Sequence, residues 1–374
     1  MPTSSLRAPF GLLLLCLGLT ACSTAPLQRP SPAASAISGI SASVAELAEV
    51  MGPDFNGVLL VKDAVDAAPL QASFGMANFE RAVANQPATL FQIGSVSKWV
   101  TSVAVLRLVD RGVLDLDRPI GAWLPELGAS GQQVSLRHLM SNTSGIPNAL
   151  SPALRSDPAS VMQPLSMLQA AQRFAGGAPA FVPGSRFDYV PTNWIVVGAV
   201  LERVSGKTFA QVLDEEVFIP AGARSTGLPD AGYLARPDAA TPYASGLPRT
   251  PKTTPHVTYV AASGTVYSNA ADLARLAETV YGTALLSAAS RAELSRINVV
   301  EESYALGGRV RNITLGGQQR AVAWESGVSG GYKSLLLHVA ADGKTVVILN
   351  NTDMPQAEQA ERGEALLKLL YRER

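Results

Sequence analysis

The sequence predicts an α/β fold in which one antiparallel sheet is assembled from both ends of the chain and flanked by helices. Two segments near the amino terminus, at 57–62 and 70–75, have the composition of β-strands joined by a polar turn. Between about 100 and 250, helical segments alternate with Pro and Gly breaks, which indicates an inserted, mostly helical lobe. The last third returns to strand-like segments, at 305–310, 321–324, 332–339 and 345–350.

The predicted helices have recognisable ends. Apolar residues recur at helical spacing from Val96 until Gly112, a residue type that commonly ends helices. Thr208 is a suitable N-cap for a helix that stops before Pro220, and Ser268 is expected to open another that runs to about residue 281. The remaining predicted helices cover about 41–51, 193–204 and the chain from about 356 onwards.

The amino-acid composition indicates which kind of molecule the protein binds. The chain has 374 residues, 47% of them hydrophobic, which is enough for a sizeable core. Because 30 basic residues balance 30 acidic ones, no positive surplus favours binding to nucleic acid. We therefore expect a small-molecule or peptide substrate.

The first 40 residues read as export and anchoring signals. Residues 1–21 combine Arg7 with an apolar stretch at 10–19, the layout of a secretory signal. Leu19-Thr20-Ala21-Cys22 resembles the bacterial lipobox, in which the cysteine becomes the lipidated first residue of the mature protein. Ser23 then resembles outer-membrane sorting, and residues 22–40 are rich in Ser, Ala and Pro, as in a disordered tether. The prediction is a domain at 41–374 held in the bacterial envelope by lipid on Cys22, facing the periplasm, with no other contact to the membrane.

Cysteine and histidine usage excludes several chemistries. Cys16, the only other cysteine, lies in the removed signal, so the mature domain has no disulfide, thiol nucleophile or zinc–thiolate site. The three histidines show no metal-ligand spacing. No metal and no cofactor is expected.

Ser95 and Lys98 form the candidate nucleophile and base. Residues three apart are neighbours on a helix, so the Lys98 amine can reach the Ser95 hydroxyl if the segment is a first helical turn. A serine hydroxyl needs such a base to attack a carbonyl. Taken alone, the pattern is more often explained by a helix cap at Ser95 and a solvated lysine.

Flanking motifs extend this pattern over about residues 41–374. In order along the chain they read Phe91-Gln92-Ile93-Gly94-Ser95-Val96-Ser97-Lys98, Leu136-Arg137-His138-Leu139-Met140-Ser141-Asn142-Thr143-Ser144-Gly145, Phe181-Val182-Pro183-Gly184 before Tyr189, Val204-Ser205-Gly206-Lys207-Thr208-Phe209, and Ser263-Gly264-Thr265-Val266-Tyr267-Ser268-Asn269. Together they resemble the serine β-lactamase and penicillin-binding protein superfamily, in the branch of class C β-lactamases, D-aminopeptidases and family VIII carboxylesterases. The resemblance implies a β-lactamase/DD-peptidase-like fold.

The resemblance also implies roles for individual residues. Ser95 would be the nucleophile, Lys98 its base, and Tyr189 the proton relay. The backbone amides of Ser95 and Val328 would hold the oxyanion. The strand residues Glu325, Ser326 and Gly327 would contact the substrate.

Two positions depart from the pattern of the family. Pro191 stands where the Tyr-x-Asn motif has its asparagine, and Asn193 is expected to be a helix cap instead. Glu325 stands where the family has the cation of Lys-Thr-Gly or His-x-Gly. If Glu325 faces the site, a substrate carboxylate would meet a like charge. The alternative is that Glu325 points away or pairs with Lys333 or an arginine.

The predicted function is therefore an envelope-anchored serine hydrolase, with esters as the leading substrates. A D-amino acid peptidase or weak β-lactamase is the first alternative. A penicillin-recognising binding protein with little turnover is the second.

Overall fold

The structure is a computed structural model that describes residues 33–35, 42–254, 257–282 and 285–372. Eleven strands lie in these segments: β1 (Ala33–Ser35), β2 (Gly57–Lys62), β3 (Leu70–Phe74), β4 (Met76–Asn78), β5 (Val83–Ala84), β6 (Phe91–Gln92), β7 (Tyr267–Ser268), β8 (Arg309–Leu315), β9 (Gln318–Ser329), β10 (Tyr332–Val339) and β11 (Lys344–Asn350).

One antiparallel sheet carries the fold, with the strand order β1-β3-β2-β11-β10-β9-β8. Its centre joins the two ends of the chain, because β2 pairs with β11 from Gly57 opposite Asn350 to Lys62 opposite Thr345. The prediction of a sheet built from both chain ends is confirmed. Two short pairs lie outside it, β4 with β5 and β6 with β7.

Fourteen helices accompany the strands in the described segments: α1 (Val44–Met51), α2 (Val96–Asp110), α3 (Gly128–Gln133), α4 (Leu136–Met140), α5 (Leu150–Ser156), α6 (Pro158–Val161), α7 (Met167–Ala175), α8 (Thr192–Ser205), α9 (Phe209–Leu213), α10 (Ile219–Ala221), α11 (Ala261–Gly264), α12 (Ala270–Tyr281), α13 (Ala288–Ser295) and α14 (Gln356–Leu369). A π-helical turn, Asp214–Phe218, joins α9 to α10. Most of these helices form the predicted lobe between β6 and β7.

The sheet separates two hydrophobic cores. On one face, α1 and α14 pack their apolar residues, such as Met51 and Leu366, against Trp324 and Ile348. On the other face, α2 and the helical lobe form a larger core. Residues of β9 alternate between these faces, so neighbouring residues near its end serve different cores.

Several predicted boundaries were wrong. The chain at 305–308 is a loop, and strand β8 begins only at Arg309, because its alternating polar sequence suits an exposed sheet edge. Ser268 belongs to β7, and Asn269 caps α12 by accepting a hydrogen bond from the Asp272 amide. The helical path after Thr208 does not stop before Pro220 but continues to Ala221, because the π-turn places Pro220 in the first turn of α10, where proline is tolerated.

The amino-terminal predictions fall largely outside the described residues. Neither the signal at residues 1–21 nor the lipidation site Cys22 is among them. Within the predicted tether, residues 33–35 pair with β3 as the edge strand β1. No helix in the described part of the chain is long and apolar enough to cross a membrane.

Candidate active site

The site is organised around the first turn of α2. Strand β6 leads into it, and Gly94 turns the chain with a φ of +54°, a backbone angle that favours glycine. Ser95 follows at the N-cap position, but its side chain makes no capping bond. The Ser95 hydroxyl is therefore left available to another partner.

That partner is Lys98. Its Nζ donates a hydrogen bond to Ser95 Oγ at 3.0 Å and a second to the Ser263 carbonyl at 2.5 Å. The lysine side chain is only 3% exposed. The predicted pairing of Ser95 with Lys98 is present in the structure, and the Ser263 carbonyl fixes the amine from the opposite side.

The Ser263 contact was not predicted, although its segment was recognised as a motif. Further contacts tie the same segment to α2: Val266 N donates to Ser97 Oγ at 3.1 Å, and Thr101 Oγ1 donates to the Ala262 carbonyl at 3.0 Å. The motif therefore holds the nucleophile helix in place and orients the lysine.

Tyr189 lies in the loop before α8 and faces the same pair. The Lys98 ammonium is 4.9 Å from the centre of the Tyr189 ring. Desolvation raises the pKa of the Tyr189 hydroxyl, but the charge of Lys98 and the nearby Ser95 and Lys98 side chains outweigh it, so the net pKa is lowered. The other part of the ring remains open, since Tyr189 is 42% exposed. A phenol with this environment can pass protons to and from Ser95.

An aromatic cluster supports Tyr189. Its ring meets Tyr304 edge to face at a centroid distance of 6.1 Å, and Phe187 packs on both rings. Arg309 lies over the far side of Tyr304 at 5.2 Å and also helps to lower the pKa of Tyr189. The cluster fixes the position of the phenol against Lys98.

Two backbone amides converge beside Ser95. Ser329 and Tyr332 close the two-residue turn between β9 and β10, so the next pair, Val328 with Lys333, directs its backbone groups away from β10. The Val328 amide nitrogen then lies so close to Gly94 that a Cβ there would clash with it. Gly327 lies equally close to the Ser95 amide. This geometry matches the arrangement expected for an oxyanion hole made by Ser95 and Val328.

The three predicted substrate-contact residues occupy different environments. Strand β8 pairs with β9 only as far as Trp324, so the edge of β9 from Glu325 to Ser329 is free of β8. Gly327 lies against the nucleophile turn. Ser326 points to the opposite face, accepts a hydrogen bond from Gln356 Nε2 at 3.2 Å, and lines a cavity of about 690 Å³ away from Ser95.

Glu325 is on the same face as Gly327 but is buried, with 3% exposure. Its carboxyl lies against Gly308, and Lys333 pairs with Asp353 instead, at 2.6 Å. Desolvation raises the pKa of Glu325 to about 8, although the charge of Arg309 opposes the shift. Direct contact between Glu325 and a substrate carboxylate remains a prediction.

Asn193 does not cap α8. The N-cap is Pro191, and the Asn193 side chain is buried. Its Oδ1 accepts a hydrogen bond from Ser144 Oγ at 2.5 Å, and its Nδ2 donates to Asn142 Oδ1 at 3.0 Å. Asn193 therefore connects the motif at 136–147 to α8 as a structural residue. Among the described residues, no group of three or more His, Cys, Asp or Glu side chains could hold a metal ion.

A serine bonded to a buried lysine, on a helix packed between a helical lobe and an antiparallel sheet, defines a serine hydrolase of the β-lactamase and penicillin-binding protein superfamily. The chain belongs to this superfamily, since residues 26–371 match the family described as Beta-lactamase. Its homologues include esterases, penicillin-binding proteins and β-lactamases.

Two curated relatives show this range. The chain is 27% identical over 337 residues to "Penicillin-binding protein 4*" of Bacillus subtilis (strain 168), covering 84% of this chain and 71% of that protein. It is 32% identical over 231 residues to "Esterase EstB" of Burkholderia gladioli, covering 56% of this chain and 57% of the esterase.

Solved structures show the same fold. A penicillin-binding protein from Bacillus halodurans has a TM-score of 0.75 and 26% identity, covering 86% of this chain and 98% of that one. A D-stereospecific amidohydrolase from Streptomyces has a TM-score of 0.66 at 20% identity, covering 83% of this chain and 94% of that one. The predicted β-lactamase/DD-peptidase-like fold is confirmed.

Proposed function

We propose that this serine hydrolase cleaves esters, and more slowly amides, through an acyl-enzyme on Ser95. The observation that carries the proposal is the hydrogen bond of 3.0 Å from Lys98 Nζ to Ser95 Oγ, made by a buried lysine. Tyr189 and the two amides described above complete the set of groups that acyl transfer needs.

In the proposed reaction, Ser95 Oγ attacks the substrate carbonyl while Lys98, in its neutral form, accepts the hydroxyl proton. The amides of Ser95 and Val328 stabilise the negative charge that develops on the carbonyl oxygen. Tyr189 passes a proton to the leaving group, and in the second half of the reaction it activates the water that releases the acyl group. Once Lys98 has accepted the serine proton, its charge lowers the pKa of the Tyr189 phenol and prepares it to give up its own proton.

Neutral esters are the leading substrates because the two positions that depart from the family pattern supply no cation or amide at the site. Pro191 has no side-chain amide, and Glu325 is a buried acid. The relative named as an esterase supports this choice. The penicillin-binding relative, which matches more of the chain, supports the alternatives of a D-amino acid peptidase, a weak β-lactamase or a penicillin-recognising protein with little turnover.

We further propose that the enzyme is attached to the bacterial outer membrane, facing the periplasm, by lipid on Cys22. The support is the sequence Leu19-Thr20-Ala21-Cys22 after an apolar stretch. The predicted tether of residues 22–40, of which residues 33–35 pair with the sheet as β1, would hold the active site away from the lipid surface.

A substrate panel tests the proposal. Purified protein is incubated with p-nitrophenyl acyl esters, a chromogenic cephalosporin and D-amino acid p-nitroanilides, beside Ser95→Ala and the half-buried control Ser160→Ala on α6. We expect ester turnover that Ser95→Ala reduces by about a thousandfold or more and Ser160→Ala leaves unchanged.

Intact-mass measurement after rapid quenching should show an acyl adduct on the wild type and none on Ser95→Ala. Preferential turnover of the cephalosporin or the anilides would reject the ester preference. No turnover with a stable penicillin adduct at Ser95 would favour the binding protein instead.

A further inference from the structure

Glu325 occupies a closed space directly behind the active site. It lies two residues before Gly327 on β9, so both side-chain positions face α2 and the nucleophile turn. The carboxyl oxygens lie against Gly308, where even a single added methyl group would clash with them. The Glu325 carboxyl makes no hydrogen bond to the described residues. A buried carboxyl without a bonded partner is costly to keep charged, and its placement needs an explanation.

The space also holds unpartnered groups from neighbouring segments. Tyr304 Oη and Asn142 Nδ2 are both buried and form no hydrogen bond of normal geometry, although the Asn142 amide lies close to Tyr304. The Tyr304 ring contacts Tyr189 edge to face at a centroid distance of 6.1 Å. Desolvation raises the pKa of the Tyr304 hydroxyl, and negative charge on Tyr189 or Glu325 would raise it further. Buried polar groups of this kind are uncommon and often serve function.

We propose that Glu325 is a positioning residue for Tyr189: as an uncharged acid it leaves the positive field of Lys98 and Arg309 on the phenol intact, and its ionisation at alkaline pH switches hydrolysis off. This inference rests on the proposed function, because it assigns Tyr189 the task of proton relay. It goes further by giving Glu325 a role that does not involve substrate contact.

The surrounding charges support this role. The titratable and charged groups that face Glu325 are Arg309 on β8, Tyr304 in the loop before it, and Tyr281 at the end of α12. On α2, the Lys98 backbone adjoins Gly307, next to Gly308. His338 of β10 stacks on Tyr281, and desolvation lowers its pKa to about 4, so it is neutral in the range of interest. Arg309 is thus the nearby cation, and it is shared with Tyr189.

An ionised Glu325 would compete for that cation. A second negative charge in a space of low dielectric makes the Tyr189 phenolate harder to form. The pKa of Glu325, raised by desolvation to about 8, sets the pH at which this would begin. Below that pH the acid is neutral and Tyr189 can cycle its proton.

The first test is the pH dependence of kcat/KM for a p-nitrophenyl butyrate assay between about pH 6 and 10. The wild type should lose about tenfold between pH 7 and 9, as one ionisation near pH 8 requires. Glu325→Gln, which keeps the shape but cannot ionise, should lose less than about twofold over that range. Glu301→Gln, which changes an exposed acid in the same region, should follow the wild type.

The outcomes separate the two proposals. Turnover that depends on Ser95 but declines identically in the wild type and Glu325→Gln overturns the role of Glu325 alone. Turnover unchanged by Ser95→Ala overturns the proposed function. If Glu325→Gln does not fold, Glu325→Met supplies a neutral side chain of similar size for the same comparison.

A second measurement tests the role of Glu325 without an activity assay. The ultraviolet absorbance of tyrosinate is titrated in the wild type and in Tyr189→Phe, and their difference isolates Tyr189. The same pair is then measured in the Glu325→Gln background. We expect the midpoint for Tyr189 to fall by about half a pH unit or more when Glu325 cannot ionise. An unchanged midpoint overturns the inference.

Discussion

At the scale of single residues, two glycines determine whether the two amides that we propose to hold the oxyanion can come together. Gly94 and Gly327 lack the side chains that would keep the nucleophile turn away from β9. The amides of Ser95 and Val328 can approach each other only because Gly94 and Gly327 have no side chain. This closeness should matter more for the transition state than for substrate binding, since the charge develops during the reaction.

Substitution of Gly94 tests this point. Gly94→Ala would place a methyl group against the Val328 amide at a φ of +54°, so kcat should fall by about a hundredfold or more while KM changes little. Gly112→Ala is the matched control, because Gly112 has a φ of +70° but no atom near its missing Cβ. It should cost about 1 kcal/mol of stability and leave kcat intact. Steady-state kinetics with equal losses in both variants would show that backbone strain, not the blocked amide, is responsible.

Contacts between residues that are close in sequence could be predicted, whereas their catalytic roles stay predictions. Ser95 and Lys98 are three positions apart on one helix, so their contact follows from helical geometry. The hydrogen bond from Lys98 to the Ser263 carbonyl joins residues 165 positions apart, and helical periodicity cannot indicate such a contact. Asn193 was misassigned as a cap for a related reason, because its partners Ser144 and Asn142 come from a distant segment.

At the scale of elements, strand β9 determines the direction of the Glu325 side chain, which the sequence analysis left open. Side chains alternate along a strand, so Glu325 shares a face with Gly327, which must approach Ser95. That much was available from the motif. The burial of Glu325 could not be predicted, because the loop at 305–308 that covers this residue was predicted as a strand. Gly307, with a φ of +84°, lets this loop pass directly over α2.

The burial of Glu325 should make the stability of the domain depend on pH. The folded state raises its pKa to about 8 from an ordinary value of 4.5, so the folded protein binds the proton more tightly than the unfolded chain. The contribution of the Glu325 proton to stability is therefore greatest below about pH 4.5. It is lost progressively as the pH rises to about 8.

Urea unfolding at several pH values between about 5 and 8 checks this expectation. Relative to Glu325→Gln, the wild type should lose about 2.5 kcal/mol between pH 5 and 7, with the slope rather than the absolute difference as the readout. Glu301→Gln should run parallel to the wild type. Parallel curves for the wild type and Glu325→Gln would show that Glu325 is solvated in solution.

At the scale of the whole molecule, the fold class was predictable because strand-like segments cluster at both ends of the sequence. Their order in the sheet was not, since β2 could pair with several C-terminal strands on pattern alone. The observed pairing of β2 with β11 is reinforced beyond the strands, where Asn56 Nδ2 donates to Asn351 Oδ1 at 2.5 Å. Such a contact depends on the tertiary arrangement.

The proposed lipid anchor is also a property of the whole molecule, and its two cysteines offer a matched pair of variants. When the full chain is expressed in a bacterium fed an alkyne-labelled fatty acid, the wild type should be labelled and pellet with membranes. Cys22→Ser should lose the label, whereas Cys16→Ser, in the predicted signal, should keep it. Label that persists in Cys22→Ser would reject the anchor, as would a wild type without label.

The pairing of β2 with β11 also sets the moment at which the enzyme can become active. A chain that emerges amino terminus first exposes Ser95 and Lys98 long before Val328 and β11 have been made. Until then Ser95 lacks the Val328 amide beside it, and β2 lacks its neighbour β11 at the centre of the sheet. The growing chain is therefore inert during synthesis, and hydrolytic capacity arises only once its final quarter has been made.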